Sequence, residues 1–173
     1  MGWTTQNDST GTPRHYVQQD ARHSCFAACL ATIKRLKTGR QAPEMLGRWA
    51  AMLGENASAG GGAFREKNWE TTGTRVKSLE EGVKELGLTY TRHDVAGRYF
   101  MTERCSPNRP ALIQIRQGLN NYHSVVCLGT LPGTASILVL DPLLNIQEVP
   151  TATFPDYPGA PDCQFSFPNF LFP

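Results

Sequence analysis

Apolar and polar positions follow two different periods along this chain, helical in its first half and extended in its second. From about Ser24 to Lys37, the apolar residues Phe26, Leu30, Ile33 and Leu36 recur at helical spacing. Ala27, Ala28 and Ala31 lie between them and allow close packing. Ser24 is placed to cap this helix and Gly39 to stop it. A second helix is expected from Pro43, a residue suited to a first turn, through Met45, Leu46, Trp49, Met52 and Leu53. The third, "SLEEGVKELGL" (78–88), carries a capping box of Ser78 with Glu81 and a stop at Gly87.

After this helix the pattern shortens to that of strands. "LTYTRH" (88–93), "ALIQIR" (111–116), "YHSVVCLG" (122–129), "SILVLD" (136–141) and "NIQEV" (145–149) are the candidates. The intervening turn signals "QGLNN" and "TLPGT" favour antiparallel hairpins. Helices followed by strands predict an α+β domain spanning residues 1–173, with N-terminal helices packed on an antiparallel sheet. Residues 1–17, polar and broken by Gly11 and Pro13, read as a loose arm. The proline- and aromatic-rich tail, 150–173, reads as a wrap over the surface with its rings tucked into grooves. Gly60 to Gly62 lack the preceding strand and following Lys-Ser/Thr of a phosphate-binding loop, so that stretch reads as a surface loop.

Composition narrows the function. With 40% apolar and 18% charged residues among 173, the chain is that of a globular protein. A net charge of +2 and scattered basic residues predict no nucleic-acid or membrane-surface partner. The basic run Lys34, Arg35, Lys37 and Arg40 falls at a helix C-terminus, where the dipole favours cations. No apolar run approaches the ~18 residues of a membrane span, and residues 1–20 lack an apolar signal core. Five cysteines, an odd number in a chain of this length, are expected as reduced thiols. The expected location is the cytoplasm, or a target cell's cytoplasm after export by a specialised secretion system.

The chemistry centres on Cys25, at the expected start of the first helix. There the positive end of the dipole favours a thiolate. A nucleophilic cysteine needs an imidazole base and a third group to orient that ring. Of four histidines, His15 lies in the N-terminal arm, His23 is too close in sequence, and His93 ends a separate strand. His123 opens one strand and Asp141 ends the next, so antiparallel pairing of the two sets them side by side at one sheet edge. For the oxyanion of an acyl transfer, the unsatisfied N–H of Cys25 supplies one donor. Gln19 supplies another, and Gln18 offers the same chemistry. Cys25 and Cys29 share a helix face, but no second ligand pair accompanies them. Neither a metal nor another cofactor is expected.

Three stretches resemble the bacteriocin-processing, double-glycine peptidases among the papain-like cysteine proteases. They are "QDARHSCFAACLATI" with its glutamine six residues before the cysteine, "RPALIQIRQGLNNYHSVVCLG", and "ILVLDPL" with its terminal Asp-Pro. "SLEEGVKELGL" is similar to a helix of that family as well. The resemblance implies a papain-like fold with Cys25 as nucleophile, His123 as general base and acid, Asp141 as orienter and Gln19, by its offset, as oxyanion donor. It further implies hydrolysis of a protein or peptide substrate at a Gly-Gly or small-residue site through a thioester. Two departures stand out: Phe26 replaces the glycine usual after the cysteine, and no transporter segment follows. By analogy, a free-standing form implies an effector or toxin with an immunity protein as partner. The alternatives are a glutamine deamidase or transglutaminase-type acyltransferase on the same residues, or an inactive binding module.

Overall fold

The computed structural model describes residues 2–19, 25–40, 76–94, 97–117, 121–153, 157 and 164–173. Ser24, the expected second helix, the glycine run and Cys163 lie outside the described residues. The described elements comprise strands β1 (Gly2–Asn7) and β2 (Pro13–Gln18), helices α1 (Cys25–Thr38) and α2 (Val76–Glu85), and β3 (Thr91–His93). A π-helical turn (Phe100–Arg104) precedes β4 (Ala111–Gln117), β5 (Asn121–Thr130), β6 (Ser136–Asp141), β7 (Asn145–Pro150) and β8 (Gln164–Leu171). This is an α+β architecture. Strands β3 to β8 form one antiparallel sheet in the order β3-β8-β4-β5-β6-β7, while β1 and β2 form a separate hairpin.

Both faces of the sheet's central strands, β4 to β6, are buried. On one face, Leu112, Val126, Leu128, Leu138, Leu140 and Phe170 pack with α1. On the other, Ile113, Ile115, Val125, Cys127, Ile137 and Val139 meet Phe100, Met101 and Tyr157. The alternation within each strand is the physical reason that one strand feeds two cores. Residues Cys25 to Ile33 of α1 are all buried, so this helix is interior on every side and has no solvated stripe at its start. It stops where expected: Gly39 has φ 69°, and its N–H donates to Arg35 O at 2.7 Å.

Phe26 also points inward, with 1% of its surface exposed. Its ring lies over Gly82 of α2, where an added Cβ would sit 2.6 Å from the ring's Cε1. The missing side chain at Gly82 makes room for the large one at Phe26.

Four expectations need correction. Residues 1–17 are not a loose arm. Asp8 organises their turn by accepting from Thr10 N and Thr12 N, each at 3.0 Å, and by pairing with Arg14 at 2.8 Å. Tyr16 and Val17 are then buried against the core. The described end of the 150–173 tail is not a surface wrap but β8, an inner strand between β3 and β4. Pro168 is tolerated there because the β4–β8 register shifts between Leu112 and Gln114, and Asn169 Oδ1 accepts the Gln114 N–H at 3.0 Å. Ser78 does not cap α2, since the helix already runs from Val76; the buried stripe Leu79 and Val83 sets its register. Finally, only Thr91–His93 of the expected strand 88–93 is paired, because β8 meets just those three residues.

Candidate active site

Antiparallel pairing of β5 with β6 brings the start of one beside the end of the other. His123 Nε2 lies 2.8 Å from Asp141 Oδ1, with both side chains buried. An ionised carboxylate only accepts, so Nε2 carries the proton in the neutral ring and Nδ1 is left for the thiol. The first residue of α1, Cys25, is hydrogen-bonded to His123 and lies beside Ser124, whose hydroxyl donates to Gln114 Oε1 at 3.0 Å. Three residues from three elements thus form one continuous chain of contacts.

The electrostatics follow from these contacts. Burial alone would raise the Cys25 thiol, yet the hydrogen bond and charge of His123, with Ser124 alongside, hold it below its ordinary value of 9.0. Burial likewise opposes the imidazolium, but Asp141 and Cys25 outweigh it and push His123 up to about 10. Asp141 stays below its ordinary range despite burial, through His123, Tyr157 and the Leu144 amide. Opposite shifts of the thiol and the imidazole favour a thiolate–imidazolium pair at neutral pH. Cys29, one turn along α1, shows the contrast. Burial and the neighbouring Cys25 and Asp141 charges drive it well above 9.0, and its thiol donates to Ser124 O at 3.2 Å.

Asp141 is fixed from four directions. Its Oδ1 accepts from Leu143 N at 2.7 Å, Leu144 N at 3.0 Å and His123, while Oδ2 accepts the Tyr157 hydroxyl at 2.7 Å. The two amides form a side-chain-capped turn over Pro142, the expected role of an Asp in Asp-Pro. Gln19 meets the same turn, donating its backbone N–H to Pro142 O at 2.9 Å. The described structure therefore gathers Cys25, His123 and Asp141 into contact and sets Gln19 beside the residue after Asp141. His15 is bound to Thr5 in the hairpin and His93 packs on Phe100, both away from this chain of contacts. His23 lies outside the described residues.

Two residues at the site carry no sequence signal strong enough to find them. Ser124 is merely the residue after the histidine. Tyr157 sits amid prolines and aromatic residues, and only the fold brings it under Asp141. Among the described residues, no group of three His, Cys, Asp or Glu side chains is placed to hold a metal ion. Nor is any described helix long and apolar enough to cross a membrane.

No protein-family model and no curated protein matches the chain in sequence. Solved structures do match its fold. The peptidase domain of Streptococcus ComA, a bifunctional ABC transporter involved in quorum sensing, is 16% identical; the alignment covers 91% of this chain and 97% of that domain, with TM-score 0.59. The peptidase domain of Streptococcus mutans ComA is 15% identical, over 91% of this chain and 98% of that one, with TM-score 0.52. A double-glycine motif protease from an AMS/PCAT transporter, solved with a leader peptide, is 13% identical over 91% and 88%, with TM-score 0.53. The chain has the papain-like fold of these peptidase domains.

Proposed function

We propose that the protein is a cysteine endopeptidase that cleaves a protein or peptide at a small-residue or Gly-Gly site. The observation that carries this reading is the contact chain from the Cys25 thiol through His123 to Asp141, 2.8 Å at its second link. In the mechanism that this geometry supports, the Cys25 thiolate attacks the scissile carbonyl carbon, and the carbonyl electrons move onto oxygen. The Cys25 N–H and the Gln19 amide donate to that oxyanion. As the tetrahedral adduct collapses, the C–N bond breaks and His123 gives its proton to the leaving amine. His123 then takes a proton from water, which attacks the thioester. The second adduct collapses with breakage of the C–S bond, releasing the acid and leaving the Cys25 thiolate beside the His123 imidazolium. Throughout, Asp141 keeps Nε2 protonated and the ring oriented.

The double-glycine preference draws support from the AMS/PCAT protease, whose own description names that motif and a bound leader peptide. An effector or toxin role, implied by analogy, would show as Cys25-dependent growth arrest in a susceptible host. The test of the activity compares wild type with Cys25→Ala on Gly-Gly reporter peptides, and on whole lysates by labelling new N-termini. Cleavage by wild type alone is expected. Equal cleavage by both proteins would overturn the reading, and an intact substrate whose mass changes by an amide-to-acid exchange would indicate deamidation instead.

A further inference from the structure

The hairpin β1–β2 does more than cover the core. Its second strand runs between the two parts of the site: Val17 N donates to Thr32 Oγ1 of α1 at 3.0 Å, and Gln19 N reaches Pro142 O at 2.9 Å. Between those points, two side chains of β2 converge on one atom. Asn145 Oδ1 accepts from Gln18 Nε2 and lies 3.2 Å from the Tyr16 hydroxyl. Gln6 Oε1, from β1, sits 3.0 Å from that same hydroxyl, and Ser9 N donates to Glu148 Oε1 of β7 at 2.7 Å.

Asn145 closes the turn that begins at Asp141, its partner in the β6–β7 ladder. It adopts φ 70°, a left-handed conformation that asparagine tolerates better than other side-chain-bearing residues. The turn is therefore held twice. Asp141 fixes it internally through the Leu143 and Leu144 amides, and the hairpin grips it externally through Asn145 and Pro142 O.

We infer that Asn145 is a positioning residue: it docks the end of β2 on the Asp141 turn and thereby places Gln19 on the oxyanion side of the site. The inference rests on the peptidase reading and deepens it. It separates two functions that share the turn. Thiolate formation depends on His123 and Asp141, whereas oxyanion stabilisation depends on where Gln19 is held.

The test uses the full chain with Asn145→Gly, which keeps the left-handed backbone accessible and removes the side-chain amide with its acceptor. Turnover of a Gly-Gly reporter is expected to fall roughly 10- to 10²-fold in kcat. KM and the rate of Cys25 alkylation by iodoacetamide should stay within about twofold, because neither reads the oxyanion. In a Gln19→Ala background the same substitution should cost nothing further, since it acts through Gln19. Asn145→Asp, which keeps the acceptor oxygen, should restore most of the turnover, and Tyr16→Phe should give a smaller loss of the same kind. Unchanged kcat in Asn145→Gly would overturn the inference. So would alkylation that falls in step with turnover, or losses that add to those of Gln19→Ala. A wild type that cleaves no reporter would overturn the peptidase reading instead, with the inference that rests on it.

Discussion

The contacts from Cys25 through His123 to Asp141 are internal, while Gln19 is held from outside by a two-stranded hairpin. On the inner side, Cys25, His123 and Asp141 come from α1 and the large sheet, and the Asp141 carboxylate is taken up by four donors, three of them (Leu143, Leu144 and Tyr157) outside its strands. On the outer side, the hairpin meets the Asp141 turn through the Tyr16 and Gln18 side chains at Asn145 and through the Gln19 N–H at Pro142 O. Burial makes the inner chain strong, because low local dielectric amplifies each charge interaction and leaves little freedom to rearrange. The outer grip on the turn depends on geometry at a few polar atoms, although Tyr16 and Val17 anchor the hairpin in the core. Nucleophile activation and oxyanion stabilisation should therefore fail separately when substituted.

The largest separation should come from Asp141→Ala. Losing the acceptor for Nε2 removes the preferred tautomer, and kcat should fall roughly 10²- to 10⁴-fold. The pH profile carries the sign. His123 is raised from 6.5 to about 10, so its imidazolium persists through neutrality and is lost as pH rises through about 10. Cys25 is lowered from 9.0, so the rising limb of kcat/KM lies below that value. Asp141→Ala should draw the falling limb down toward 6.5, as measured by kcat/KM from pH 5 to 11.

Gln19→Ala probes the outer side. Removing one oxyanion donor typically costs 10²–10³ in kcat, about 2.7–4 kcal/mol. The position of both pH limbs and the alkylation rate of Cys25 should remain those of wild type. A shift in either limb would mean that Gln19 acts on the thiol and that the two sides are not separate.

Tyr157→Phe sharpens the inner side with a smaller change. The ring fills the same buried space, and only the hydroxyl at Oδ2 is lost. A hydrogen bond to a buried charge is worth about 1.5–3 kcal/mol, so chemical denaturation should show a loss of that order. Activity should fall far less than in Asp141→Ala, because Leu143 and Leu144 still hold Oδ1.

Gly82→Ala should leave both sides of the site untouched and serves as the control. Helix propensity alone favours alanine by ~1 kcal/mol. A Cβ placed 2.6 Å from the Phe26 ring reverses that gain, and overpacking predicts net destabilisation of ~1–3 kcal/mol with kcat intact.

The same division runs through what could be read from the residues alone. Cys25, His123 and Asp141 were legible because each stands at or near the end of an element with a clear period, and antiparallel pairing of β5 with β6 fixes the juxtaposition of the last two. Phe26 could not be placed from sequence, since its direction depends on the absent side chain at Gly82 in another helix. The hairpin was hidden by its polarity: β1 is largely exposed, and the turn rests on the Asp8 carboxylate instead of an apolar pattern. β8 was masked by Pro168, which local rules exclude from an inner strand and which a register shift accommodates. Asn145 and Tyr157 matter through contacts across 129 and 16 residues of sequence, which no local pattern encodes.

The central claim, that His123 activates Cys25, is tested most directly by site-resolved alkylation of Cys25 with iodoacetamide across pH. The account predicts a midpoint below 9.0 and reaction at neutral pH faster than at Cys29, with His123→Ala returning the midpoint to 9.0 or above. A Cys25 that reacts only as an ordinary thiol, or no faster than Cys29, would contradict it.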